Sequence, residues 1–201
     1  MKTILYTQRV DIIKSYGERR DCADQRIPEF LSACGYLPVP VSNLPELALA
    51  IARKTFPGGI FLTGGNSLAK YGGDAPERDA TETALVNWAV SKGIPVFGIC
   101  RGLQFLADFY GGTIASLEGH VATRHAVQGV ISRKEVNSYH GLGVRDVPRE
   151  LEVLSRAGDG SIEALRQQSQ KVMAVGWHPE REEAFDEEDI RLVRELFGKE
   201  E

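Results

Sequence analysis

"IPVFGICRGLQFLADFYGG", residues 94–112, decides the fold. Its first seven residues are almost wholly apolar and short, the signature of a strand buried on both faces. The next twelve, 101–112, place apolar side chains at helical spacing and end in glycine, a helix stop. A two-face-buried strand running straight into a helix is the unit of a parallel sheet. Reading upstream repeats the unit. "PERDATETALVNWAVSKG" (76–93) predicts a helix with Leu85, Trp88 and Ala89 on one face, and "GIFLTGG" (59–65) a strand ending in paired glycines. "LPELALAIARKT" (44–55) has helical spacing. "LPVPVS" (37–42) is extended, its prolines pointing to a sheet edge. "ADQRIPEFLSACG" (23–35) reads as a helix and "TILYT" (3–7) as a buried strand.

Downstream of 112 the pattern changes. "TIASLEG", "HAVQGVIS", "KEVNSYH", "LEVLSRAG", "SIEALRQ" and "KVMAVGWHPE" read as short strands between turns, and a final helix covers about 185–197. The predicted class is therefore α/β, a mainly parallel central sheet with additional antiparallel strands in the C-terminal half. No linker or repeat divides residues 1–201, so one domain is expected.

Composition excludes several alternatives. The 201 residues are 42% hydrophobic and 26% charged with a formal net charge of −4, the balance of an ordinary globular chain. Mixed charge gives no footprint for nucleic acid or an anionic membrane surface. The first residues lack a signal-peptide pattern and no apolar run nears the ~20 residues of a membrane helix. Three cysteines, Cys22, Cys34 and Cys100, without CxxC spacing fit a reducing cytoplasm and argue against a cysteine-based structural zinc site. No metal or other cofactor is signalled. The acidic run 180–189 reads as a solvated helix start.

The chemistry centres on Gly98-Ile99-Cys100-Arg101-Gly102, which has the G-x-nucleophile-x-G spacing of a nucleophile elbow. A sharp strand-to-helix turn strains the central residue, and side chains at the flanking glycines would strike neighbouring backbone. The sulfur then sits at a helix N-terminus, where free N–H groups favour thiolate. The Arg101 N–H is placed to donate to an oxyanion. "VGWHPE" supplies a base: His178 and Glu180, two apart on an apparent strand, project to one face, where the carboxylate fixes the imidazole. Gly64-Gly65, ending the preceding strand, offers a second oxyanion donor beyond a sheet's carboxyl edge. "GGNSLAKYGG" lacks the Gly-Lys-Ser/Thr of a phosphate loop. His120 and His125 flank a loop and read as solvent-facing or hydrogen-bonded. Cys22 and Cys34 read as structural or exposed thiols, and Trp88, Leu103, Phe105 and Leu106 as core. Trp177 reads as either pocket lining or packing.

In order along the chain, strand-GG, G-I-C-R-G-x-Q and W-H-P-E resemble the class I glutamine amidotransferase superfamily. Residues 78–114, "VNSYHGLGV" (136–144) and the stretch from Leu151 to Glu180 are closer still to its γ-glutamyl hydrolase branch, the γ-glutamyl-γ-aminobutyrate hydrolases. The resemblance implies a flavodoxin-like three-layer sandwich. It implies Cys100 as nucleophile, His178 as base and acid, Glu180 as orienter, and an oxyanion hole from Gly65 and the Arg101 N–H. Gly64 and Gln104 would face the glutamyl moiety, and Ser138, Tyr139, His140 and Gly141 would close over it. "YHGLG" departs from the N-H-G-F form of many amidotransferases.

Three roles stay open on sequence grounds: a free-standing hydrolase of a γ-glutamyl amide, a glutaminase subunit passing ammonia to a partner synthase, and a non-catalytic binding relative. The N-terminal stretch 5–43, the short length and "GGNSL" resemble a compact subgroup tied to surface-polysaccharide biosynthesis, the γ-glutamyl-CDP-amidate hydrolases. A diphosphate substrate calls for cations, and Arg9, Arg19, Arg20 and Arg124 are candidates, Arg9 and Arg19 foremost. The expected partner is this small molecule, with no nucleic acid or membrane. The helical face within 185–197 offers a surface for a second copy.

Overall fold

The computed structural model describes residues 1–198. Its frame is a run of five parallel strands. These are β1 (Thr3–Tyr6), β4 (Leu37–Pro40), β5 (Gly59–Leu62), β6 (Val96–Ile99) and β13 (Val172–Val175), in the spatial order β4-β1-β5-β6-β13. Pro38 and Pro40 lie on the edge strand β4, where a missing N–H costs no ladder bond.

The helices α1 (Arg26–Ala33), α2 (Pro45–Thr55), α3 (Pro76–Lys92), α4 (Arg101–Phe109) and α5 (Glu187–Phe197) divide between the two faces. Strand alternation explains the division. Leu5, Ile60, Leu62, Val96 and Ala174 point into one core with Ala48 and Ala52 of α2, Leu85 and Trp88 of α3, and Leu103 and Leu106 of α4. Ile4, Phe61, Phe97, Ile99 and Val175 point into the other, with Phe30 and Leu31 of α1 and Val193 and Phe197 of α5. The result is three layers, helices on both sides of a sheet, as expected. The apolar stripe of α5 is thereby used in its own core.

Beyond β13 the sheet turns antiparallel through β12 (Ile162–Gln167), β11 (Glu152–Ala157), β8 (Val121–Gly129) and β9 (Arg133–Tyr139), and β10 (Leu142–Asp146) branches off to pair with β12 and with β7 (Thr113–Ser116).

Three local expectations need correcting. Residues 9–22, left unassigned by pattern, form a hairpin of β2 (Arg9–Ile13) and β3 (Glu18–Cys22) that stands apart as its own two-stranded sheet. Most of its side chains are partly or fully exposed, so periodicity had little to register. Cys22 therefore closes a hairpin strand shortly before α1. The β13 segment joins the parallel set, pairing with β6, as well as the antiparallel one. Finally, β13 stops at Val175, and Pro179–Arg181 forms a single 3₁₀ turn, so His178 and Glu180 do not meet by strand alternation.

Candidate active site

Three neighbouring parallel strands deliver the site at their carboxyl ends. Gly64-Gly65 follow β5, Cys100 follows β6 and His178 follows β13. Register brings the last two together: Val175 pairs with Ile99, and the Cys100 N–H donates to the Val175 carbonyl at 2.8 Å.

Cys100 has φ 50° and ψ −102°, a strained conformation for a residue with a side chain. The flanking glycines are a packing requirement. A Cβ on Gly98 would fall 2.8 Å from the Gly102 carbonyl carbon, and one on Gly102 2.6 Å from the Leu62 carbonyl oxygen. The buried thiol shares a hydrogen bond with the His178 ring. His178 Nδ1 lies 2.6 Å from Glu180 Oε1, completing a buried line of sulfur, imidazole and carboxylate.

Burial works to raise the Cys100 pKa, but the charge and hydrogen bond of His178, with His140 beyond, outweigh it and hold the thiol below its ordinary value. Burial likewise works to lower His178, yet the Cys100 sulfur and the Glu180 carboxylate push it up to about 10. Opposite shifts on touching groups favour a thiolate–imidazolium pair.

Two cavities flank this line. One, of about 340 Å³, is lined by Gly65, Cys100, Gln104, Tyr139, His140 and Gly141, among others. The second, of about 330 Å³, lies on the hairpin side and is lined by Arg9, Asp11, Gly64, Gly65, His178 and Arg181, among others. Gly64 lies against the imidazole, since a Cβ there would come 2.7 Å from His178 Cε1.

Most residues singled out by sequence thus converge. Ser138 is an exception: it is buried, and its hydroxyl donates to the His120 carbonyl at 2.6 Å instead of facing the cavity. The Arg101 side chain also turns inward, bonded to Glu82 and Asp79, which leaves its backbone at the elbow. Of the arginines proposed for phosphate, Arg9 reaches a cavity, where it pairs with Asp11 at 2.9 Å. Arg19 is held by Glu77 and the Asp74 carbonyl, Arg20 by Glu18 and Tyr16, and Arg124 by Glu135 and Glu182. Trp177 packs in the core and donates Nε1–H to Asp189 at 3.1 Å. The acidic run is less solvated than expected, because Glu180 and Asp189 are both buried.

Sequence reasoning missed three supports. Arg78 is fully buried and donates to the carbonyls of Thr63 (2.7 Å), Gly64 (2.9 Å) and Gly65 (2.8 Å), while its Nε meets Glu82 at 3.0 Å. With the Gly64 carbonyl bound there, a trans peptide turns the Gly65 N–H away from Arg78. Asn137 brackets the His178 backbone, accepting from its N–H and donating to its carbonyl, both at 2.8 Å. It stands in the "VNSYH" stretch, whose distinctive wording was the available signal. Arg181 lines the second cavity and lies 4.6 Å over the Tyr139 ring.

Fold and site define an α/β protein with a hydrogen-bonded cysteine, histidine and glutamate at the carboxyl ends of a parallel sheet. Residues 27–194 match the family model of class I glutamine amidotransferases, and the chain belongs to that family. It is 27% identical to a γ-glutamyl-CDP-amidate hydrolase of Campylobacter jejuni, over 96% of each chain. It is 30% identical to a γ-glutamyl-γ-aminobutyrate hydrolase of Escherichia coli O157:H7, over 98% of this chain and 93% of that one. The crystal structure of a glutamine amidotransferase from Thermotoga maritima superposes with a TM-score of 0.68 at 18% identity, covering 89% of this chain and 76% of that one. No helix among the described residues is long and apolar enough to cross a membrane.

Proposed function

We propose that the chain, acting as one domain in the cytoplasm, hydrolyses a γ-glutamyl amide through a thioester on Cys100. The observation that carries this reading is the buried line from the Cys100 sulfur through His178 to Glu180. The thiolate attacks the γ-carbonyl carbon, forming a C–S bond and an oxyanion that accepts from the N–H groups of Gly65 and Arg101. The oxyanion collapses, the C–N bond breaks, and His178 gives its proton to the departing nitrogen. Water then loses a proton to His178, attacks the thioester and breaks the C–S bond, releasing glutamate and restoring the thiolate. The cavity with Gln104 and residues 139–141 takes the glutamyl part, and the cavity with Arg9 takes the leaving group.

For the leaving group we propose cytidine diphosphoramidate, in the service of surface-polysaccharide modification. The full-length similarity to the Campylobacter jejuni hydrolase supports it, as do Arg9 and Arg181 on the leaving-group side. A γ-glutamyl-γ-aminobutyrate-type substrate is the second reading, favoured by the 30% identity to the Escherichia coli enzyme. The deciding measurement is kcat/KM for γ-glutamyl-CDP-amidate, γ-glutamyl-γ-aminobutyrate and glutamine, with Cys100→Ala as the blank. Preference for the nucleotide is expected. Glutamine turnover that requires another protein would instead identify an ammonia-donating subunit, and undiminished glutamate release by Cys100→Ala would refute the mechanism.

A further inference from the structure

Next to the glutamyl cavity, and sharing His140 with its lining, lies a second cluster. His120, at the approach to β8, His125 on β8, His140 after β9 and Glu163 on β12 each offer one ligand atom, and these atoms all fall within 4.8 Å of one another. His120 and His125, read as loop-flanking and either solvent-facing or hydrogen-bonded, have ring centroids 4.6 Å apart. His120, His140 and Glu163 are buried.

Hydrogen bonding makes the cluster unusual. His140 Nδ1 faces the Leu142 carbonyl at 3.1 Å and His125 Nδ1 the Ala126 carbonyl at 3.3 Å. His120 Nε2 faces Asp159 at 3.5 Å. Each imidazole has an acceptor beside one nitrogen, and in the tautomer that donates there the other nitrogen turns a lone pair toward Glu163. Those others are His120 Nδ1, His125 Nε2 and His140 Nε2. All three are buried without a hydrogen-bond partner, as are both oxygens of Glu163, which is 1% exposed. In those tautomers four acceptors converge with no donor among them, and a single cation at their centre satisfies all four.

The spacing fits. Zinc with nitrogen and oxygen ligands at about 2.0–2.1 Å in a tetrahedron places those ligands ~3.4 Å apart. Glu163 Oε1 lies 3.5 Å from His120 Nδ1, 3.6 Å from His140 Nε2 and 3.9 Å from His125 Nε2. Room for the carboxylate is reserved by Gly176, where a Cβ would fall 2.1 Å from Glu163 Oε2.

We propose that His120, His125, His140 and Glu163 bind one zinc ion in a closed three-histidine, one-carboxylate site. The ion ties the approach to β8 and the end of β9 to β12, and so pins the His140–Leu142 segment that lines the cavity beside Cys100. With four protein ligands its role is structural. The site does not depend on Cys100 acting as a nucleophile, so its test is separate.

The test is binding of Zn²⁺ and Co²⁺ to chelator-treated full-length Cys100→Ala protein, which removes the competing thiolate. Expected are one zinc per chain by equilibrium dialysis and a melting temperature several degrees higher with zinc. Cobalt should give tetrahedral visible bands without a thiolate charge-transfer band. Glu163→Gln and His120→Ala should each weaken binding at least a hundredfold. His125→Ala, at the less buried edge, should weaken it at least tenfold and serves if the others do not fold. His140 is kept intact in every variant because it also lines the glutamyl cavity. Less than stoichiometric zinc in folded protein, or affinity unchanged in His125→Ala, would overturn the proposal.

Discussion

Replacing Arg78 with lysine separates a positioning role from a purely structural one. The guanidinium serves Glu82 through Nε, and through its terminal nitrogens the carbonyls of Thr63, Gly64 and Gly65, with the Thr63 hydroxyl and Asn66 Oδ1 beside them. An ammonium keeps the charge but cannot span that fork. At least two buried carbonyls then lose their donor, at about 1–3 kcal/mol each, so stability should fall by about 3 kcal/mol. The catalytic effect has a different origin. With the Gly64 carbonyl released, the Gly65 N–H is no longer aimed. One oxyanion donor is worth roughly 10²–10³ in kcat, and loosening it rather than deleting it should lower kcat by about 10- to 100-fold. KM should change by less than about threefold, because the hole acts on the developing oxyanion and not on the bound ground state. Glutamate release gives kcat and KM, and urea denaturation gives the stability. Leu31→Ala, in the opposite core, provides a comparable loss of stability without touching the loop. If Arg78→Lys and Leu31→Ala lose stability alike and both keep kcat within about twofold of wild type, the positioning argument fails.

Three further outcomes are expected. Asn137→Ala, which frees the His178 backbone, should reduce kcat about tenfold or more while the Cys100 thiol remains alkylatable; an unchanged kcat would show that the 3₁₀ turn holds His178 unaided. Iodoacetamide should modify Cys100 at pH values below the ordinary thiol range, and in His178→Ala the acid limb of the rate should move up toward that range; Cys34, pushed up to about 12 by burial, should not compete. Burial raises Asp189 from 3.8 to about 6, so its stabilising contribution is fully present below about pH 3.8 and is lost as pH climbs through 6. Asp189→Asn, which keeps an acceptor for Trp177, should therefore gain on wild type by up to about 3 kcal/mol between pH 4 and pH 8, as read from urea midpoints.

Much of the site could be read in sequence because its parts are short and local. The elbow around Cys100 needs glycines at fixed offsets, and β5 and β6 are apolar because both faces are covered, so spacing and composition disclosed the parallel sheet and the sulfur at its edge. What sequence could not supply was anything depending on partners distant along the chain. Arg78 carried no signal in the 76–93 helical pattern and is fully buried, since its partners come from another loop. Arg19 and Arg124 looked free and proved paired. His178 and Glu180 meet through a turn, not strand alternation. The exposed hairpin of β2 and β3 carried too little apolar periodicity to be seen, yet Arg9 on it lines the cavity beside His178.

By itself, then, the chain's order of residues determined the strand-helix alternation and the strained turn that carries Cys100, because these follow from local sterics and apolar spacing. Only tertiary structure decided which side chains share space. Setting β13 beside β6 brought an imidazole to a sulfur 78 positions earlier. The bend of the antiparallel strands gathered His120, His125 and His140 around Glu163. Long-range pairing governs both, and its energy lies in burial and register that no single segment contains.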